Sequence, residues 1–190
     1  MIDALISSKT RIKLLLKFFL NSNATAYLRS LEQEFGESSN AIRLELNRLE
    51  EAGLLLSNSD GNKKIFQANI GHPLFGEIHS IVLKTIGVDQ IIENVVRRLG
   101  NVDKVYLVGE FSKGTDSPII DLILIGDFDK SYLANLVEKV EKLIKRKIRY
   151  LLYEPEEAQS INWNLYDPKP LLLWDRHWPT PDNYVRTTAQ

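Results

Sequence analysis

Residues 104–127, KVYLVGEFSKGTDSPIIDLILIGD, read as strand, glycine-bounded turn and strand. Val105, Tyr106, Leu107 and Val108 form one continuous apolar run. Gly109-Glu110-Phe111-Ser112-Lys113-Gly114 reads as a tight loop, and 119–125 is a second apolar run holding a single charge, Asp121. A carboxylate inside an apolar strand is costly unless it is paired, bound to metal, or at the solvent edge. Whatever chemistry this region carries therefore turns on Asp121 and on what surrounds it.

Working outward toward the C-terminus, Asp129 or Ser131 can cap a helix to Arg146, with Leu133, Leu136, Val137, Val140, Leu143 and Ile144 on one face. Its other face alternates Glu138, Lys139, Glu141 and Lys142, the pattern of a solvated surface. A third strand is expected over 147–153, a short helix from Glu154-Pro155, and a last strand over 170–174. His177 lies between Trp174 and Trp178, which are expected to be core or interface anchors. The tail 179–190 has too few apolar residues to pack a structure of its own and is expected to be flexible.

Toward the N-terminus, two apolar helical patterns over 71–100 end at Gly87 and Gly100 and connect this region to what precedes it. His72 and His79 are seven residues apart, a spacing unlike the three or four of a helical metal pair, and read as ordinary polar positions. Before them, Ser8 can cap a helix through 11–20. Thr25 can cap a second one carrying Leu28, Leu31 and Phe35, with Gly36 at its left-handed end. A third helix is expected over 40–52 with Ile42, Leu46 and Leu49 inward. Two short strands, 54–57 and 64–68, flank the Asp60-Gly61 turn signal. Three helices followed by a hairpin is the order of a winged helix–turn–helix.

Composition bounds the partners. The 190 residues are 44% hydrophobic with a formal net charge of −1. Residues 1–70 hold 9 basic and 8 acidic residues, leaving 15 of the 24 basic and 17 of the 25 acidic ones for 71–190. No strong overall field draws the chain to nucleic acid or to an anionic membrane. There is no cysteine, so disulfides and thiolate chemistry are excluded. The apolar run 12–20 is too short to span a bilayer and lacks a signal-peptide cleavage site. A cytoplasmic protein with no membrane partner is the expectation.

Two resemblances sharpen this. A strand ending in Gly-Ser-x-x-x-Gly followed by Asp-x-Asp resembles the minimal nucleotidyltransferase fold, in which the glycine loop holds the triphosphate and the aspartates hold divalent metal. Gly109, Gly114 and Asp121 stand at matching places. Glu110 replaces the small hydroxyl residue, Ile119 the first aspartate, and Arg149 the third acidic residue. An alkyl group cannot ligate a hard cation, and an arginine repels one. The resemblance therefore implies a degenerate domain that is not expected to catalyse, with no cofactor required. Gly109, Ser112, Lys113 and Gly114 are left as a candidate nucleotide or phosphate loop, and Asp121 as the remnant of a metal site where Mg2+ would bind weakly.

The stretch 40–54, NAIRLELNRLEEAGL, resembles the recognition helix of ArsR-like transcriptional regulators, and the likeness covers roughly 8–69. The chain as a whole is similar to bacterial proteins joining such a winged helix to a nucleotidyltransferase-like domain. The implied fold class is α+β in two domains: a winged helix over 1–70 and a mixed sheet with flanking helices over 101–178. The implied function is a homodimeric DNA-binding regulator whose second domain senses a ligand or mediates dimerisation. The resemblance directs Ser39, Asn40, Arg43, Leu44 and Asn47 toward the major groove. Arginine and asparagine make bidentate contacts to base edges, so Ser39, Asn40, Arg43 and Asn47 are the base-reading candidates. Lys63 and Lys64, with Lys9 and Arg29, are the phosphate candidates. Two alternatives are an active nucleotidyltransferase with a rearranged metal site built on Asp121 and Glu110, and an antitoxin-like protein-interaction module.

Overall fold

The first helix, α1 (Lys9–Leu15), starts where Ser8 Oγ accepts a hydrogen bond from the Arg11 amide at 3.2 Å. It runs on into a wider π-helical turn, Leu16–Leu20, in which Phe18 and Phe19 are fully buried. The computed structural model describes residues 6–167 and 169–177, and Trp178 and the tail 179–190 lie outside them.

The expectation of a helix capped by Thr25 is corrected. Thr25–Tyr27 is strand β1, and α2 (Leu28–Phe35) begins only after it. A β-branched and an aromatic residue favour extended backbone, and Ala26 is buried on the strand opposite Phe66. The helix then opens with the Ser30 hydroxyl accepting from the Tyr27 amide at 3.1 Å. Gly36 closes it in the left-handed region at φ 64°.

Helix α3 (Ser39–Glu51) begins one residue before the expected start, is capped by Ser38, and buries Ile42, Glu45, Leu46 and Leu49. The hairpin strands β2 (Leu55–Asp60) and β3 (Lys63–Ala68) are longer than expected, and the turn shrinks to Gly61-Asn62 with Gly61 at φ 56°. Together the three strands form an antiparallel sheet in the order β1-β3-β2.

Helices α4 (Phe75–Ile86), α5 (Val88–Ile91) and α6 (Arg97–Leu99) follow, with a second π-helical turn, Ile92–Val96, between the last two. The expected single helix 88–99 is thus widened in the middle. On α4, His79 is not an ordinary polar position. Its Nδ1 lies 2.5 Å from the Phe19 carbonyl oxygen, and its ring stacks on Phe75, which stacks on Phe19. Burial lowers the His79 pKa below its usual value, against the opposing pull of the Phe19 carbonyl. A depressed folded-state histidine pKa means stability present above the unfolded value of about 6.5 and lost as pH falls. The melting temperature is therefore expected to drop between pH 7 and pH 5, above the range where carboxylates titrate, and His79→Gln to flatten that slope. An unchanged slope in the variant would remove His79 as its cause.

The second sheet has the order β6-β5-β4-β7. Strand β4 (Val102–Val108) leads through the short helix α7 (Gly109–Ser112) to β5 (Ile119–Gly126). Helix α8 (Lys130–Ile144) crosses to β6 (Lys147–Tyr153), which pairs parallel to β5. A helical turn, α9 (Pro155–Ala158), and the 3-10 turn Trp163–Leu165 precede β7 (Leu171–Asp175), antiparallel to β4. This mixed sheet with flanking helices is the α+β architecture expected of the region. One face, including Val105, Leu107, Ile120, Leu122 and Leu124, shares a continuous core with α8 and with Leu14, Phe18, Phe19 and Leu46 of the N-terminal region. On the other face, Val108, Ile123 and Ile125 are covered by Tyr106, Tyr153, Ile161, Trp163 and Tyr166.

Candidate nucleic-acid interface and the glycine loop

Helix α3 presents Asn40, Arg43, Leu44 and Asn47 to solvent, because the 3.6-residue repeat that buries Ile42, Leu46 and Leu49 turns these positions outward. Between α3 and the hairpin lies a cleft of ≈ 580 Å³ whose lining includes Arg29, Arg43, Asn47, Asn62, Lys63 and Lys64. Four of the sequence-derived candidates for DNA contact, Arg43, Asn47, Lys63 and Lys64, thus line one concave surface with Arg29 as the fifth, whereas Ser39 and Asn40 are outside the lining. Tyr27 and Phe66, which the sequence did not single out, line it too, together with Leu28, Glu32 and Leu46. Lys63 Nζ lies 4.8 Å from the centre of the Tyr27 ring. Lys9 is exposed on α1 and is not part of this lining.

Two candidates are otherwise engaged. The Ser39 hydroxyl donates to Glu32 Oε1, and Lys64 Nζ is 2.7 Å from Glu50 Oε2 and 5.2 Å from the Phe66 ring centre. Arg29, Arg43 and Lys63 have no carboxylate partner among the described residues.

Three nearby acids that weigh against an anionic ligand are neutralised from within, whereas Glu32, in the cleft lining, accepts from Ser39 and has no cationic partner among the described residues. Glu45 is 5% exposed, 2.8 Å from Arg11 Nε and 3.3 Å from Arg48 Nη1. Burial pushes its carboxyl up, but hydrogen bonds from Arg11 and Ser8 and the charges of Arg11 and Arg48 outweigh it and hold the pKa below the usual range. At Glu37 burial is likewise overcome by Lys13, 2.7 Å away, and by the Thr10 hydroxyl. Glu50 is held low by hydrogen bonds from Lys64 and Ser57.

The glycine loop has a different character. Gly109–Ser112 is a helical turn, closed by the turn residues Lys113 and Gly114, where the sequence suggested a tight loop. A phosphate cradle needs outward-facing amides, whereas the Lys113, Gly114 and Thr115 amides donate to Glu110, Phe111 and Glu110 carbonyls at 3.0, 2.9 and 3.0 Å. Ser112 is 1% exposed and its hydroxyl donates to the Gly109 carbonyl at 2.7 Å. The carbonyls of this segment face the N-terminal region: Asn21 Nδ2 donates to Ser112 O at 2.8 Å, and Lys17 Nζ to Lys113 O at 2.9 Å. Gly114 packs so closely that a Cβ there would lie 2.5 Å from Lys17 Cα. Thr115 Oγ1 donates to Glu34 at 3.1 Å.

Asp121 is adjacent to Arg149 in the parallel register of β5 and β6, and Arg149 Nε donates to its Oδ1. Glu110 pairs with Lys113 at 3.0 Å and Asp116 with Arg146 at 2.9 Å. Each acid that the rearranged metal site would need already has a cation, and Ile119 offers no oxygen. Among the described residues, no group of three or more His, Asp or Glu side chains is placed to hold a metal ion. The donor set does not fit a two-metal phosphoryl-transfer centre. Among the same residues no helix is long and apolar enough to cross a membrane.

No protein-family model and no curated protein matches this chain. Among solved structures it is similar to a provisionally assigned nucleotidyltransferase from Sulfolobus solfataricus, with 19% identity over 53% of this chain and 88% of that one and a TM-score of 0.34.

Proposed function

We propose that this chain is a DNA-binding transcriptional regulator. In this reading its N-terminal region is a winged helix–turn–helix that reads duplex DNA and acts as a homodimer on two-fold sites. The C-terminal region, a nucleotidyltransferase-like unit without its metal carboxylates, serves as a docking and dimerisation platform. The observation carrying the proposal is the cleft between α3 and the hairpin, where Arg29, Arg43 and Lys63 gather without carboxylate partners among the described residues, outnumbering Glu32 of the same lining, while Glu37, Glu45 and Glu50 are held in ion pairs. Phosphate neutralisation supplies most of the affinity in such interfaces, and arginine and asparagine supply base discrimination.

Selection of bound duplexes from a random pool, followed by titration at two salt concentrations, tests the proposal. A selected motif bound well above random DNA with a steep salt slope is the expected outcome. No enrichment and no salt dependence would overturn it and favour a protein-interaction module.

Individual side chains should separate by role. Arg43→Ala should cost about 1–3 kcal/mol on the selected site and relax preference at one base pair. Lys63→Ala should weaken binding to all sequences alike and lower the salt slope by about one. Lys64→Ala should do less than Lys63→Ala, because its ammonium is held by Glu50 at 2.7 Å. Equal losses on specific and random DNA from Arg43→Ala and Lys63→Ala would refute this division.

A further inference from the structure

Of the large apolar side chains on α3, Ile42, Leu46 and Leu49 are buried, whereas Leu44 is 51% exposed. At about 100° per residue, Leu44 stands one turn from Asn40 on one side and from Asn47 and Arg48 on the other. Arg43 and Asn47 line the cleft and Leu44 does not, so it occupies the flank of the exposed α3 face turned away from the hairpin. An isobutyl group there has no hydrogen bond to offer a base or a phosphate. Its available chemistry is apolar contact. In the major groove, the apolar group that a base pair presents is the C5-methyl of thymine.

We infer that Leu44 is a specificity-determining residue that seats against a thymine methyl in the duplex bound by α3. The inference rests on the DNA-binding reading above. The partner is fixed by charge: Arg43, next to Leu44 on the exposed face of α3, and Arg29 and Lys63, which share the cleft with Arg43, lack carboxylate partners among the described residues and complement a polyanion. Leu44 then adds what these cations lack, discrimination of T·A from C·G at one step of the site.

The test uses the full chain and the duplex recovered by selection, synthesised with each thymine in turn replaced by deoxyuridine. That change removes the methyl and leaves the hydrogen-bonding edge intact. Binding should weaken roughly fourfold at one thymine, the scale of one methyl group returned to water. In Leu44→Ala the thymine-to-uracil ratio at that position should fall to about one, with the melting temperature unchanged because the side chain is exposed. Leu44→Met should retain the discrimination. A wild-type ratio of one at every thymine, a selected site without thymine, or an undiminished ratio in Leu44→Ala would overturn this inference and leave the DNA-binding reading standing. Failure to select any site would overturn both.

Discussion

Gly114→Ala is expected to destabilise the protein by about 2–5 kcal/mol, measured as a shift in the urea unfolding midpoint. Two costs add. Gly114 sits at φ 79°, where a β-carbon costs about 1–2 kcal/mol. The added carbon would also lie 2.5 Å from Lys17 Cα and 2.7 Å from Lys17 O, so backbone must move, an overpacking cost of about 1–3 kcal/mol. Gly36→Ala is the internal control. Gly36 has φ 64° but nothing within 4 Å of the added carbon, so the conformational cost alone applies. The difference between the two variants isolates the contact between the π-helical turn at Lys17 and the glycine segment. Equal midpoints for Gly114→Ala and Gly36→Ala would mean that this contact contributes nothing.

That contact is also where sequence and structure part company. The strand pair around Asp121, the α8 stripe from Leu133 to Val140 and the hairpin at Gly61 were legible because each is a local pattern: an apolar run, a 3.6-residue repeat, a turn signal. That Asp121 needs a partner was legible too, but the choice of Arg149 over Lys113 was made by the parallel register of β5 and β6. The placement of Arg43 and Asn47 on the exposed face of α3 followed from the buried stripe Ile42, Leu46 and Leu49. What was not legible is long-range. Nothing local to Asn21 shows that its amide donates to the Ser112 carbonyl 91 residues away, nor that Glu45 is buried against Arg11. Thr25–Tyr27 was mistaken for the start of a helix because the strand that claims it, β3, lies about forty residues downstream. The glycines at 109 and 114 are readable as backbone positions needing special dihedrals, but whether such a turn faces a ligand or a neighbouring helix is decided by packing alone.

Phe111→Ala is expected to cost about 3–5 kcal/mol, the range for emptying a buried phenylalanine site. Phe111 is 1% exposed and belongs to the main core, with Arg146 Cζ 5.2 Å from its ring centre. Its carbonyl accepts from the Gly114 amide at 2.9 Å, so the ring anchors the turn that meets Lys17 and Asn21. Ser112→Ala removes only a hydroxyl that donates to the Gly109 carbonyl at 2.7 Å and should cost about 1 kcal/mol. A loop built to close over a ligand would show small effects at both positions, because ligand-binding loops come from the least stable part of a fold. A large Phe111 effect, with faster amide exchange at Gly114, would place the glycine segment in the cooperative core. The cradle amides that it would have to free for a phosphate are the same ones that hold this turn closed. Nucleotide binding there would then require breaking the docking of the N-terminal region onto the sheet. Stability in Phe111→Ala within 1 kcal/mol of wild type, together with a calorimetric heat of ATP binding, would overturn that picture.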